Sequence, residues 1–596
     1  MPIVAISVER LNQLLGQEFE MDTLVHGMQQ LGCDVEDTDT LALYRCPACD
    51  SPNDKLERDE PPKRCEFCGF EDENHFEKFA TDAVIRLDLL ADRPDLFDPG
   101  GLSRALKGYL GLEQGLTSFD VGESDVVVNV DPIMFEKDTY RPFIVCAVVD
   151  IPPLDHNSLR EIMRLQEHLH WGIGRDRKLA SIGVYDLDTV EGPITYSVVD
   201  PDRFKFSPLG MPNVQMTPNQ ILAEHPKGVG YADLLKSYAK YPVLKDAKDL
   251  VLSMPPIINS DETKCKLGSS RLFIDVTGIS RAAVVNSLTT LVSALVEVGG
   301  QVKTVTMNYP DRTEKTPDLT PGHIDISYQD ARKWLGLPFT RDEMLDYLRK
   351  MRLNVESHRE LYRVYYPAFR TDIRHEVDVF EDLAIGYGYE RIEPQLIETL
   401  TIGEAREEEK ISDLVRQAMI GLGFTEIMSL LLQSQERHFA KFNMQPDNNH
   451  VIVENPKTIE QKIMRNHMMT GIFETFNKNR RKAVPQRIFE LGNVVTLNAE
   501  AETGTEEYRH LAFAVIGPDS GYSEGRMVLD AILHELKLSG SYAPITHPTF
   551  IEGRCAEITH ESGLWARLGE IHPQVLNQFG LAFPVVYGQV RLMQVI

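Results

Sequence analysis

Four of the chain's eight cysteines lie in one short run, CPACDSPNDKLERDEPPKRCEFC, as Cys46, Cys49, Cys65 and Cys68. The spacing C-x2-C-x15-C-x2-C suits a tetrahedral ion. Two residues between cysteines let both sulfurs wrap one side of a metal, and the second pair closes it. The intervening DSPNDKLERDEPPK is too polar to form a core, so a metal is expected to supply the folding energy, and Zn2+ is the ion expected. Four thiolates leave no open coordination position, which makes the site structural rather than catalytic. Two disulfides or free thiols are the alternative, and they fit a reducing compartment poorly. Cys33, Cys146, Cys265 and Cys555 sit singly among apolar residues and read as buried thiols.

The cysteine element interrupts a regular pattern. Before it come a strand and two helices, SVERLNQLLG and MDTLVHGMQQLG. After it, AVIRLDLLADRPDLFDPGGLSRALKGYLG resumes with a strand and an amphipathic helix. The element therefore reads as an insertion between two halves of one small domain. From about residue 125, strand-like runs such as DVVVNV, PFIVCAVV, ASIGVYDL and RLFIDVTG alternate with helical ones, the pattern of a mixed α+β domain. PDLTPGH marks a boundary near 317–323. Two helices, a strand pair and an acidic helix follow, and a last strand-rich domain begins after EPQLIETLTIG. A chain of 596 residues exceeds one core.

No apolar run reaches the roughly 20 residues that span a bilayer, and the first residues lack a basic leader. The expectation is a cytoplasmic protein with no membrane partner. Lys and Arg number 62 against 90 Asp and Glu, a net charge of −28, which disfavours nonspecific nucleic-acid binding by the whole surface. A local basic patch or a basic partner subunit stays compatible with it. The sharpest basic run, Asn477–Arg487, reads as a solvated helix end and turn. Phosphate-loop and H-E-x-x-H motifs are absent.

RTDIRHEVDVFEDLAIGYGYERI, from Arg370 to Ile392, carries six acidic residues. Asp378, Glu381 and Asp382 stand at i, i+3 and i+4 of a helix, beside an apolar face marked by Val377, Phe380, Ala384 and Tyr387. Asp372 ends the preceding strand within reach of the same face. Crowded carboxylates repel one another unless a cation relieves them, and oxygen ligands suit Mg2+. A solvated helix face, or salt bridges to Arg370, Arg374 and His375, are the other readings.

Several stretches resemble one family in the family's own order. They are LREIMRLQEHLHWGIGRDRKLASIGVYDLDTVEGPITY, LVLSMPPIINSDETK, RLFIDVTG, the acidic segment, GFTEIMSLLL, and ENPKTIEQKIMRNHMMTGIFETFNKNRRKAVPQRIFELGNVV. The family is the β subunit of phenylalanyl-tRNA synthetase, in its short archaeal and eukaryotic form. The resemblance implies a multi-domain α+β chain. A split N-terminal domain covers 1–120, with a zinc ribbon inserted at about 41–76. An α+β editing domain follows at 121–300, a winged-helix-like domain of the B5 type at 301–395, and a class II synthetase-like antiparallel-sheet domain at 396–596. The last domain is expected to be noncatalytic, since GRCAEITHESGLWARLGEIHPQVLNQFG lacks the G-x-G-x-x-x-R pattern that places an arginine on ATP. The zinc element lies outside what the resemblance accounts for, and its role stays open.

By the same resemblance, Asp372, Asp378, Glu381 and Asp382 match a magnesium pattern near the contact with the α subunit. Leu244, Ser253, Asp275 and Thr277 match the editing site. For Asp275 and Thr277, capping of the helix in SRAAVVNSL is the other reading. The implied function is the β subunit of phenylalanine–tRNA ligase in an α2β2 assembly. It supports ATP-dependent charging of tRNA(Phe) by the α subunit and hydrolyses mischarged Tyr-tRNA(Phe). An editing site makes physical sense because a pocket shaped for phenylalanine rejects the ring with one added hydroxyl only about 10²-fold. A zinc-containing RNA-binding scaffold without editing and a free-standing aminoacyl-ester hydrolase are the rival readings.

Overall fold

The computed structural model describes residues 3–48, 52–65, 70–71, 76–88, 92–136, 140–397, 402–559 and 565–595, the side chains of the last three excepted. The chain divides into two compact units, Met1–Gln395 and Leu396–Ile596.

The first unit begins with β1 (Ile3–Ser7), α1 (Val8–Leu15) and α2 (Met21–Gln30). Local chemistry sets the ends of α1. The Ser7 hydroxyl accepts from the Arg10 amide, and Gly16 closes the helix at φ 72°, a conformation glycine enters without strain. Strands β2 (Asp34–Arg45), β3 (Pro52–Leu56) and β4 (Glu77–Asp88) complete a sheet in the order β1-β4-β2-β3, with α1 against β4, α2 against β2, and α3 (Pro99–Tyr109) packed on α1. The halves on either side of the cysteine run thus join through β1 and β4. The insertion is less separate than its polarity suggests. β2 runs through its expected start, β4 begins at Glu77 just past its expected end, and the polar stretch between the cysteine pairs supplies β3, with Asn53 and Asp54 buried.

A ten-stranded mixed sheet follows. Its strands are β5 (Gly122–Val130), β6 (Phe143–Asp150), β7 (Ala180–Asp186), β8 (Ile194–Val199), β9 (Tyr241–Lys245), β10 (Val251–Met254), β11 (Ile258–Asn259), β12 (Arg271–Gly278), β13 (Gln301–Asn308) and β14 (Thr313–Thr316). The order is β11-β10-β9-β8-β5-β13-β6-β12-β7, with β14 on β13. β13 lies between β5 and β6, so this sheet extends to Thr316 rather than ending at residue 300. Helices α4 (His156–Trp171) and α7 (Arg281–Glu297) pack on one face, burying Leu159, Ile162, Leu288, Leu291 and Val292 against Ile182, Ile274 and Val276. Two short helices, α5 (Pro218–Glu224) and α6 (Pro226–Tyr231), lie in the long β8–β9 connection. Strands β15 (Gly322–Ile326), β16 (Asn354–His358) and β17 (Leu361–Tyr366), with helices α8 (Tyr328–Leu335), α9 (Arg341–Lys350) and α10 (Glu376–Tyr387), end the unit.

The second unit is built on a seven-stranded sheet. Its strands are β18 (Thr425–Glu426), β21 (Gln486–Leu497), β22 (Thr505–Ile516), β23 (Ser541–Pro544), β24 (Phe550–Thr559), β25 (Trp565–Ile571) and β26 (Val585–Val595). The order is β18-β21-β22-β26-β25-β24-β23, antiparallel except for the β18–β21 pair. A separate two-stranded piece joins β19 (Leu432–Gln433) to β20 (Ile463–Met464). Among the described residues, no helix is long and apolar enough to cross a membrane. Cys33, Cys146, Cys265 and Cys555 are all buried.

Candidate functional site

Three strands of the ten-stranded sheet bring polar groups into an otherwise apolar interior. Asp275 lies in β12, with Gly183 of β7 on one side and Cys146 of β6 on the other, and is 1 % exposed. The Tyr185 hydroxyl donates to Asp275 Oδ1 at 2.5 Å and stands 2.8 Å from Ser253 Oγ of β10. Residue 183 must be glycine for this arrangement. A β-carbon there would overlap both the Tyr185 hydroxyl and the Asp275 carboxylate. Burial pushes the Asp275 carboxyl up to about 7, against the pull of the Tyr185 hydrogen bond and of Arg141.

These groups floor a cavity of about 100 Å³, walled by Met163, Ile182, Val184, Pro256 and Ile257. Polar side chains gather at its other end. Glu167 of α4 bonds Arg177 at 2.7 Å, and Lys227 of α6 stands 3.5 Å from it. Burial alone would raise Glu167, but Arg177, His170 and Lys227 hold it well below the usual carboxylate range. His170 Nε2 accepts from the Ile182 amide at 2.8 Å, which assigns the ring proton to Nδ1, facing Glu167 at 3.6 Å. Burial holds His170 down to about 4, so the ring is neutral.

Of the four residues matched to editing, Ser253 and Asp275 line this cavity, whereas Leu244 and Thr277 do not. Leu244 of β9 pairs with Ser253 but packs into the core beside Tyr185 and Phe273. Thr277 sits on the same strand as Asp275, fully buried around Arg141. The Arg141 guanidinium donates to the Thr277 carbonyl, to the Arg177 carbonyl at 2.9 Å and to Ser181 Oγ at 3.1 Å. The capping reading of Asp275 and Thr277 is corrected. Both belong to β12, and Ser280 caps α7. Sequence patterns missed Gly183, Tyr185, Glu167 and His170. The available signal was a glycine inside ASIGVYDL, because glycine in a strand interior marks a close approach.

The acidic segment collects in a second cleft. Asp372, Asp378, Glu381 and Asp382 all line it. They are not equivalent. Arg370 grips Asp372 with both Nε and Nη2 at 2.7–3.2 Å and reaches Asp382 at 3.0 Å. Asp378 Oδ2 accepts from the Arg374 and His375 amides, both at 2.7 Å, closing the first turn of α10. Glu381 is exposed and Asp382 is 2 % exposed, because neighbours on a helix point about 100° apart. Burial pushes Asp382 up against the pull of Arg370 and Arg93. The solvated-face reading is therefore wrong for Asp382, and the salt-bridge reading holds through Arg370. Among the described residues, no three His, Cys, Asp or Glu side chains stand close enough to share a metal ion. A four-carboxylate magnesium chelate does not fit this geometry, since Arg370 supplies the positive charge.

Cys46, at the end of β2, and Cys65 come from opposite ends of the insertion and bury side by side, packed by Phe70 and Phe76. Asn53 donates its amide to Cys65 Sγ at 3.5 Å. Cys49 and Cys68 lie outside the described residues.

In the second unit, Arg465 is 4 % exposed. It bonds Glu490 at 2.7 Å, Ser429 Oγ at 2.9 Å and the Asn493 carbonyl at 2.8 Å. This buried guanidinium holds the sheet to its neighbouring loops.

Comparison with known proteins fits this architecture. A model of the phenylalanyl tRNA synthetase beta chain CLM domain matches residues 392–592, and one of the tRNA synthetase B5 domain matches residues 324–389. The phenylalanine–tRNA ligase beta subunit of Methanosphaera stadtmanae is 34% identical over 604 residues, with 100% of both chains covered. That of Archaeoglobus fulgidus is 34% identical over 98% of this chain and 97% of its own length. Among solved structures, an N-terminal fragment of the phenylalanyl-tRNA synthetase beta-subunit from Pyrococcus horikoshii superposes with a TM-score of 0.55. It is 33% identical and covers 65% of this chain and 99% of the fragment.

Proposed function

The chain belongs to the phenylalanine–tRNA ligase beta-subunit family, and from that premise we propose that it pairs with an α subunit that charges tRNA(Phe) using ATP, and itself clears Tyr-tRNA(Phe) in the first unit. The observation that carries the clearing step is the cavity over Asp275. Its walls are apolar enough for an aromatic ring, and its floor is a Tyr185–Asp275–Ser253 cluster that can give and take a hydrogen bond. A tyrosine ring entering there meets partners for its hydroxyl in this cluster, whereas a phenylalanine ring offers the cluster no hydrogen bond and leaves its members bonded to one another. At the other end, the neutral His170 Nδ1–H and the ionised Glu167 face the position of the ester. They are suited to orient a water whose oxygen adds to the ester carbonyl, releasing tyrosine and the tRNA hydroxyl. Synthesis belongs to the α subunit.

The test uses the assembled holoenzyme and preformed Tyr-tRNA(Phe). Ser253→Ala with Asp275→Ala is expected to slow deacylation tenfold to hundredfold, the effect of losing a hydrogen bond worth about 1.5–3 kcal/mol, while phenylalanine charging stays near wild type. Wild-type deacylation by a soluble, correctly assembled double variant would remove the editing reading.

For the four cysteines the reading is one structural Zn2+. The half of the set that is described fits it, being two sulfurs from distant chain positions buried together with an amide donor aimed at one of them. When bound, the metal fastens the insertion, and no chemical step runs through it. Metal analysis is expected to return one zinc per chain. Cys46→Ser with Cys65→Ser is expected to abolish it and leave residues 45–76 open to protease. Freshly purified wild-type protein without zinc would sink this reading.

A further inference from the structure

The insertion is anchored where the cavity is. Arg164 of α4 pairs with Asp54 of β3, and Arg45 at the end of β2 lies 3.2 Å from His156, the first residue of α4. Helix α4 also supplies Glu167 and His170 to the cavity. Between the insertion and α6 lies a groove of about 830 Å³. Lys55, Lys63, Arg64, Pro226, Lys227 and Tyr231 line it, and Lys227 also lines the cavity. Glu60 and Asp176 are its only acidic lining residues among those described, so the groove is basic in a chain of net charge −28.

We propose that this groove receives the single-stranded 3′ end of an aminoacyl-tRNA and leads it to the buried cavity, which makes the cysteine-bearing insertion one wall of an RNA channel. The proposal rests on the editing reading of the cavity. An amino acid seated over Asp275 is esterified to a terminal ribose, so the preceding nucleotides must leave past the end marked by Glu167 and Lys227. Their phosphates then meet Lys227 first and Lys55, Lys63 and Arg64 beyond it. Lys63 and Arg64 are 61% and 52% exposed and pair with Glu60 at 3.0 Å and Glu71 at 3.6 Å. Such surface pairs are weak and exchange readily for phosphate. Tyr231 has one ring face covered by the Arg177 guanidinium at 4.6 Å, the kind of ring on which a base stacks.

The experiment reverses the charge of the two exposed cations, Lys63→Glu with Arg64→Glu, in the holoenzyme. Arg203→Glu with Lys248→Glu, on loops of the ten-stranded sheet outside the groove lining, is the matched control. The double reversal in the groove is expected to raise KM for Tyr-tRNA(Phe) about tenfold at low salt with kcat changed less than twofold. The slope of log KM against log salt is expected to fall by about 1.4, at ~0.7 for each single-strand phosphate that is no longer neutralised. The control is expected to change neither. Equal KM and salt slope in the groove variant and wild type overturn the proposal. A second readout does not depend on hydrolysis. A tRNA(Phe) carrying a photoreactive nucleotide in its 3′ single strand is expected to crosslink to the peptides 52–65 or 226–231. Crosslinks confined to other segments overturn the groove. Crosslinks in the groove from a holoenzyme that clears no mischarged tRNA leave the groove standing and remove the editing reading instead.

Discussion

Replacing Arg370 with alanine is expected to destabilise the first unit by about 3–5 kcal/mol, the cost typical of removing one partner from a buried ion pair. The guanidinium is 5 % exposed and grips both oxygens of Asp372 and one side of Asp382, which is 2 % exposed. Arg93, itself paired with Asp95 at 2.8 Å, is the nearest remaining positive charge. Without Arg370, Asp382 must either protonate or draw in water. Hydrogen exchange across residues 370–387 measures the loss, since α10 opens as that charge is uncovered. The same measurement decides between arginine and metal. Millimolar magnesium chloride is expected to leave wild-type protection unchanged and to restore little of what Arg370→Ala loses. Full rescue by Mg2+ would establish the four carboxylates as a cation site and overturn the arginine reading.

Asp275→Asn is expected to stabilise the protein above neutral pH. In the folded chain, burial raises the Asp275 carboxyl from 3.8 to about 7. Below the lower value both folded and unfolded states carry the proton. As pH rises, the unfolded state ionises first, so the stability Asp275 contributes at low pH drains away up to about pH 7 and stays lost beyond it. At about 1.36 kcal/mol per unit, the three-unit gap corresponds to a deficit of about 4 kcal/mol at pH 8. Asparagine keeps an oxygen for Tyr185 and cannot ionise. The variant is therefore expected to exceed wild type by about 2–4 kcal/mol at pH 8 and to match it near pH 4. Urea unfolding of the first unit at both pH values checks this, and a difference that is the same at both pH values would show that Asp275 ionises normally. The wild-type sequence holds a carboxylate where an amide is more stable, a trade characteristic of functional sites. Deacylation is expected to inflect near pH 7 in wild type and lose that inflection in Asp275→Asn.

Short-range chemistry explains what was legible from residues alone. The Ser7 cap and the Gly16 stop of α1, the strand in RLFIDVTG, and the four isolated cysteines among apolar neighbours all depend on residues a few positions apart. Periodicity and caps record such relations directly. The resemblance carried the family, and Asp275 and Ser253 came with it. The boundary at residue 300 failed for the opposite reason. β13 looks like any alternating strand, and nothing local says that it pairs with β5, some 180 residues earlier.

What the tertiary structure alone decided are the partners of the polar groups. Asp275 read in sequence as an editing residue or a capping group, and Asp382 as a magnesium ligand or part of a helix's acidic face. Folding buried both, giving one to Tyr185 from a strand ninety residues away and the other to Arg370. The insertion likewise read as a polar interruption, and only the fold set it against α4 beside the cavity mouth. The physical reason is common to all three. Burial and long-range register fix how costly a charge is and what can neutralise it, and neither quantity is written in the neighbours along the chain.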